Sequence, residues 1–212
     1  MLLFEFEKTG AFRYIPHVDM LRAVTRTLRR ARIECGYSHG FNPHILLYFS
    51  PPLPIGTASR CEQCALDCVL SAEEFLERYN RAAPAGLKAL SAAVFPYPVN
   101  PAAKVNKARY EIVLNTGKVE IKSCFAALSA AAREVLAGDL FEVSAGRDGG
   151  VKEARPLLHD IAVRAGGGAV AVDAVLSAGN RNLRADRFIE GLLKRAGLNY
   201  TGADITRVTL YQ

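Results

Sequence analysis

The chain has 212 residues, 50% of them hydrophobic and 23% charged, with 27 basic against 21 acidic side chains and a formal net charge of +6. That composition excludes a disordered chain, and no apolar run reaches the roughly 20 residues that cross a bilayer as a helix. The whole charge excess lies between residues 8 and 60, where Lys8, Arg13, Arg22, Arg26, Arg29, Arg30, Arg32 and Arg60 meet only Asp19 and Glu34. A local field of that sign suits a polyanion, a phosphate group or an acidic protein surface, and equally a solvated helix face. Cys35, Cys61, Cys64, Cys68 and Cys124 make an odd number of thiols in a chain large enough to bury a core without staples. The start, Met1 to Lys8, has no basic leader and breaks its apolar run at Glu5 and Glu7. A cytoplasmic protein with reduced thiols is expected.

The elements follow in chain order. Leu2, Phe4 and Phe6 alternate with Leu3, Glu5 and Glu7, which predicts a strand over 2–8 with one buried face. After a turn at Thr9-Gly10, a helix is expected over 16–32, with Asp19 in its first turn where the helix dipole favours an acid. Leu21, Val24, Leu28 and Ala31 recur at helical spacing as its core face, which throws Arg22, Arg26, Arg29 and Arg30 to the other side as a basic stripe. Tyr37 to His44 reads as a polar loop, 45–49 as a strand, 50–56 as a proline-rich connection and 61–70 as another strand. Ser71-Ala72-Glu73-Glu74 is a capping box that opens a helix to about residue 81, with Phe75, Leu76 and Tyr79 inward. A strand over 87–94 closes a first half, residues 1–95, and Pro96, Pro98 and Pro101 mark a linker over 96–106.

The second half, 107–212, repeats the order. A strand over 108–114 carries Tyr110 and Ile112 on one face, and a helix over 120–137 turns Ile121, Phe125, Leu128 and Val135 inward. A short strand at 141–144 precedes a turn at Arg147-Asp148-Gly149-Gly150. Strands over 154–163 and 169–176 flank Gly166-Gly167-Gly168 as a hairpin. A helix over 184–196 ends at Gly197, and 205–211 is the closing strand. The fold class expected is α+β, with two tandem ferredoxin-like (βαββαβ) halves built on antiparallel sheets.

His17, His39 and His44 fall inside the basic segment, near Asp19. With the arginine stripe they could line a phosphate or nucleotide site, act in proton transfer, or serve only as hydrogen-bonding residues. Metal-ligand spacing is absent. Cys61, Cys64 and Cys68 fall in a strand pattern with Cys61 opposite the other two, and no second cluster completes a ligand set. Buried free cysteine is favoured there over a zinc or iron–sulfur site. Gly166 to Gly168 lack a following Lys-Ser/Thr and are no nucleotide loop. There is no Ser-His-Asp order, nucleophile elbow or carboxylate pair, so catalytic residues stay unassigned, no cofactor is expected, and His159 reads as an ordinary strand residue.

Phe12-Arg13-Tyr14-Ile15-Pro16-His17-Val18-Asp19-Met20-Leu21-Arg22, Leu28-Arg29-Arg30-Ala31, Tyr37-Ser38-His39-Gly40-Phe41-Asn42-Pro43-His44 and Pro52-Leu53-Pro54-Ile55-Gly56 together resemble one bacterial family. It is the radical SAM-linked family, a domain of unknown function found alone or joined to a B12-binding radical SAM protein. The likeness is dense over 4–60 and returns at Leu183-Arg184 and Ile205 to Tyr211. The chain departs from the family pattern with Pro16 for Ser, Ile45-Leu46 for Pro-Lys, and Gln63 for an aromatic residue. The resemblance implies a radical SAM enzyme as partner and a connection with RNA metabolism, and it implies no particular reaction. The resulting expectation is an accessory protein that binds RNA or another phosphate-bearing ligand. Arg22, Arg26, Arg29 and Arg30 would meet phosphates, and His17, Asp19, Ser38, His39, Gly40, Phe41, Asn42 and His44 would line the ligand. Two alternatives stand beside it: a metal-independent, ribonuclease-like enzyme using histidine for proton transfer, and a protein–protein adaptor.

Overall fold

The computed structural model describes residues 1–115, 120–146, 149–199 and 202–211. The protein has a mixed α+β fold with mostly antiparallel strands, and its chain divides into two compact units, Met1–Val105 and Asn106–Gln212.

The first unit runs β1 (Leu2–Lys8), α1 (His17–Arg30), β2 (Leu47–Phe49), β3 (Ala58–Leu66), α2 (Ala72–Ala82), β4 (Ala89–Val94) and a short α3 (Pro101–Lys104). Its strands lie in the order β4-β1-β3-β2, each pair antiparallel. The two-residue period of β1 buries Leu2, Phe4 and Phe6, and it buries Lys8 with them. Phe4 is the hub of the core, its ring 5.5 Å from Phe6, 4.9 Å from Phe75 and 5.1 Å from Tyr79. Rings at those separations gain more than their buried area alone.

The expected helix over 16–32 is shorter, and its seam is turned. Pro16 caps α1 in an extended conformation, and the buried residues are Met20, Val24, Thr27 and Leu28, with Leu21 only half-buried. The end of the helix joins the same core. Ile33 is buried and its N–H bonds Leu28 O at 3.1 Å, so the chain folds back onto the Val24–Leu28 side. At the start of α2, Ser71 Oγ accepts from Glu74 N–H at 3.2 Å. Ser71→Ala should therefore cost about 1 kcal/mol. Thermal unfolding reads this, and an unchanged midpoint would contradict the cap.

Other boundaries moved for local reasons. β2 covers only 47–49, while Ile45 makes a lone bridge to Tyr37. β3 ends at Leu66, which leaves Cys68 outside it. The proline-rich segment 96–106 contains α3, whose first turn is closed by Asn100 Oδ1 accepting from Ala102 N–H at 3.1 Å.

The second unit runs β5 (Lys107–Leu114), α4 (Ile121–Ala137), β6 (Glu142–Ser144), β7 (Val151–Glu153), β8 (Leu158–Gly166), β9 (Ala169–Ser177), α5 (Ala185–Arg195) and β10 (Ala203–Tyr211). Its strand order is β10-β5-β9-β8, again antiparallel throughout, with β6 and β7 paired as a separate hairpin. The turn expected at 147–150 falls within that hairpin, and its Arg147 and Asp148 lie outside the described residues. The inward residues of α4 are Cys124, Leu128, Ala131, Ala132 and Val135, whereas Ile121 and Phe125 are half-buried. Residues 155–157 form a 3-10 turn rather than the start of a strand. Arg155 accounts for it by donating to Leu136 O at 2.8 Å, Gly138 O at 3.0 Å and Leu158 O at 3.1 Å, which ties the end of α4 to β8. The β8–β9 connection is the two-residue turn Gly167-Gly168, both at positive φ (58° and 79°), which matches strand twist as only a primed turn does.

Three strands of this unit share a charge network. Asp173 Oδ1 accepts from Arg109 at 3.0 Å and Oδ2 from Arg164 at 2.5 Å, while Arg164 also reaches Glu111 at 3.2 Å. Burial alone would raise the Asp173 carboxyl, but the bonds from Arg164 and Arg109 hold it below the usual carboxylate range. A carboxyl with a depressed folded pKa stabilises above its unfolded value, near 3.9, and loses that contribution as pH falls through the folded one. Asp173→Asn should cost ~1–2 kcal/mol at pH 7 and progressively less toward pH 3. Urea unfolding at the two pH values checks this, and an equal cost at both would refute it.

Candidate functional site

The basic face is carried by α1. At about 100° per residue, Arg22, Arg26, Arg29 and Arg30 fall within about 100° of arc, opposite the buried Met20–Val24–Thr27–Leu28 seam. All four are exposed. Their charges are not equivalent. Arg22 pairs with Asp19 one turn back at 2.9 Å, so both of these candidates are partly self-neutralised. Arg30 donates to Thr27 Oγ1 at 3.2 Å and to Ala82 O at 3.3 Å, bonds that aim its guanidinium across the end of α2 without cancelling its charge. Among the described residues, no acidic side chain pairs with Arg26 or Arg29.

The loop after α1 is built by one short hydrogen-bonded closure. Ser38 N–H donates to His44 O at 2.8 Å, and His44 N–H donates to Ser38 Oγ at 3.1 Å. The Ser38 hydroxyl, already an acceptor, also lies 2.9 Å from His44 Nδ1, with Asn42 O 3.5 Å from the same nitrogen, so the ring is held against the loop's own closure. Gly40 sits at φ +121°, a backbone state that L side chains rarely adopt. The closure pushes the tip outward: His39, Asn42 and Pro43 are exposed, and Phe41 is entirely so. A wholly exposed phenyl ring on a pinned loop is a large apolar surface with nothing of its own chain to cover it. Five residues separate Ser38 from Ile33, which is anchored in the core at the end of α1. The loop base is therefore within about 18 Å of that anchor.

His17, grouped with the loop in the sequence reading, sits elsewhere. It begins α1, packs edge-on against Phe49 at 5.8 Å, and feels the buried Glu62 and Lys8. Burial lowers its pKa, Glu62 opposes that and Lys8 adds to it, so the net effect favours the neutral imidazole. Among the described residues, no hydrogen bond or ring contact joins His17, His39 and His44 to one another. In the second unit, His159 bonds Ser177 Oγ at 2.9 Å.

The sequence reading missed Lys8 and Glu62. The parity of Lys8 with Leu2, Phe4 and Phe6 was a signal for its burial, whereas Glu62 becomes its neighbour only through β1–β3 pairing. All five cysteines are free. Burial pushes the Cys35 thiol up to about 11, with Cys68 adding to it, and burial likewise raises Cys64, Cys68 and Cys124. Protonated thiols are poor nucleophiles and poor metal ligands. Among the described residues, no group of three or more His, Cys, Asp or Glu side chains could hold a metal ion.

Fold and surface thus define an α+β protein whose first unit presents an arginine-rich helix and a pinned aromatic loop. Residues 2–185 match the family described as "Uncharacterized protein conserved in bacteria (DUF2344)", and the chain belongs to that family. No curated protein matches it. No helix among the described residues is long and apolar enough to cross a membrane.

Proposed function

We propose that the protein is a cytoplasmic binding module, made of two ferredoxin-like units in tandem, that takes RNA or a related phosphate-bearing ligand as accessory to a radical SAM enzyme. Support for the fold reading is the strand order, in which the last, first, third and second strands of each βαββαβ unit lie side by side and antiparallel. The observation that supports the ligand is that the first unit exposes both the arginine stripe of α1 and, on the loop that follows it, Phe41. Guanidinium groups bind phosphates without reading sequence, and an exposed ring stacks on unpaired bases. The radical SAM partner rests on the family resemblance alone. Five free thiols fit a reducing compartment. The alternative, a histidine-based nuclease, would need two imidazoles at one scissile phosphate.

Binding of the full chain to total bacterial RNA, followed from 50 to 300 mM salt, tests the reading. A log–log slope of about −0.7 for each phosphate engaged on a single strand is expected. No binding at the lowest salt, with capture of a radical SAM enzyme through the same face, would replace RNA by protein as the ligand.

A further inference from the structure

The C-terminal ends of α1 and α2 meet at a groove of about 390 Å³ lined by Arg30, Ala31, Arg32, Arg78, Arg81 and Ala82. Four guanidinium groups share this wall, and no carboxylate does. Two helix C-termini supply about half a negative charge each, so helix dipoles offset about one of the four. Glu74 and Glu77 offset two more, through Arg78 and Arg81, but these are exposed pairs along one helix face, at 2.5 Å each, of a kind that contributes little and exchanges readily. Arg30 is aimed over the groove by its bond to Ala82 O at 3.3 Å. Among the described residues, no acidic side chain pairs with Arg32.

Arg32 is also the only non-glycine residue at positive φ (+52°) among the described residues. It occupies the position after the α1 cap, where its N–H bonds Arg29 O at 3.1 Å. Glycine ends a helix there without strain, so helix termination gives no reason for arginine. A planar fork with several donors does give one, because it matches the oxygens of a phosphate.

We propose that this groove receives a phosphate dianion, with Arg32 and Arg30 from α1 facing Arg78 and Arg81 from α2. The ligand is the terminal phosphomonoester of a nucleic-acid strand or the same group free in solution. The inference rests on the reading of α1 as a phosphate-binding face and names the point on that face where the doubly charged end is held.

The test compares a single-stranded RNA oligonucleotide bearing a 5′-phosphate, or a 3′-phosphate, with the same oligonucleotide ending in hydroxyls. Thermal stabilisation by inorganic phosphate is measured alongside. For the full chain, a terminal phosphate at one of the two ends should raise affinity at least tenfold. That preference should disappear in Arg32→Gly, which relieves the backbone and leaves the fold intact by circular dichroism, and in Arg81→Gln. Equal affinity for all oligonucleotides in every variant, with no stabilisation by phosphate, would overturn the groove and leave RNA binding standing. Stabilisation by inorganic phosphate that Arg32→Gly abolishes, with no oligonucleotide bound, would establish the groove as a site for free phosphate and overturn the RNA reading instead. No response to any probe would overturn both.

Discussion

Reversing two charges, in Arg26→Glu/Arg30→Glu, should lower RNA affinity on the order of 100-fold near 0.1 M salt and flatten the log–log salt slope by about 1.4. The slope follows from removing two phosphate contacts at about 0.7 each on a single strand. Reversal rather than neutralisation adds repulsion to the lost attraction, so the fall in affinity exceeds what the slope alone gives. Both side chains are exposed and lie opposite the Met20–Val24–Leu28 seam, so the fold should survive. Arg30 does lose its bond to Ala82 O, and Arg26→Glu alone provides a control free of that loss. An affinity unchanged across the salt series would remove α1 from the binding surface.

Phe41→Ala should leave the unfolding midpoint where it is and weaken single-stranded RNA binding by ~1–3 kcal/mol, with an unaltered salt slope. The stability half of this follows from exposure: a ring that buries nothing in its own fold loses nothing on truncation. The binding half follows from stacking, which is indifferent to salt because it involves no counterion. A slope that changed with Phe41→Ala would mean that the loop had moved and that the ring acts on structure. A marked fall in the midpoint would mean the same.

The first unit was largely legible because its strongest signals are local. Alternation in Leu2–Lys8, the helical spacing of Val24 and Leu28, and the Ser71-x-x-Glu74 cap each depend on a few neighbouring residues, and each is found in place. What misled was also local. Leu21 continued an apolar spacing as well as Met20 did, and only packing against the residues of β1, β3 and α2 in the core distinguishes them. In the second unit, β6 and β7 are three residues each, too short to show a period, and the role of Arg155 depends on carbonyls up to 19 residues away.

The candidate site divides along the same line. The arginine stripe is a property of one helix and could be read from spacing. The groove was invisible, since Arg78 and Arg81 join Arg30 and Arg32 only when α2 packs beside α1. The histidines were grouped because they are close in sequence, but His17 belongs to the buried Lys8 and Glu62, while His44 belongs to Ser38. Loop closure and strand pairing gave different partners to residues that the chain keeps within 27 positions.

Ultraviolet cross-linking of the full chain to bound RNA, with the modified residues located by mass spectrometry, tests the central claim most directly. The account predicts adducts at Phe41 and its neighbours in the 37–44 loop, lost when Arg26→Glu/Arg30→Glu abolishes binding. Adducts confined to Asn106–Gln212, with none in the loop, would contradict it.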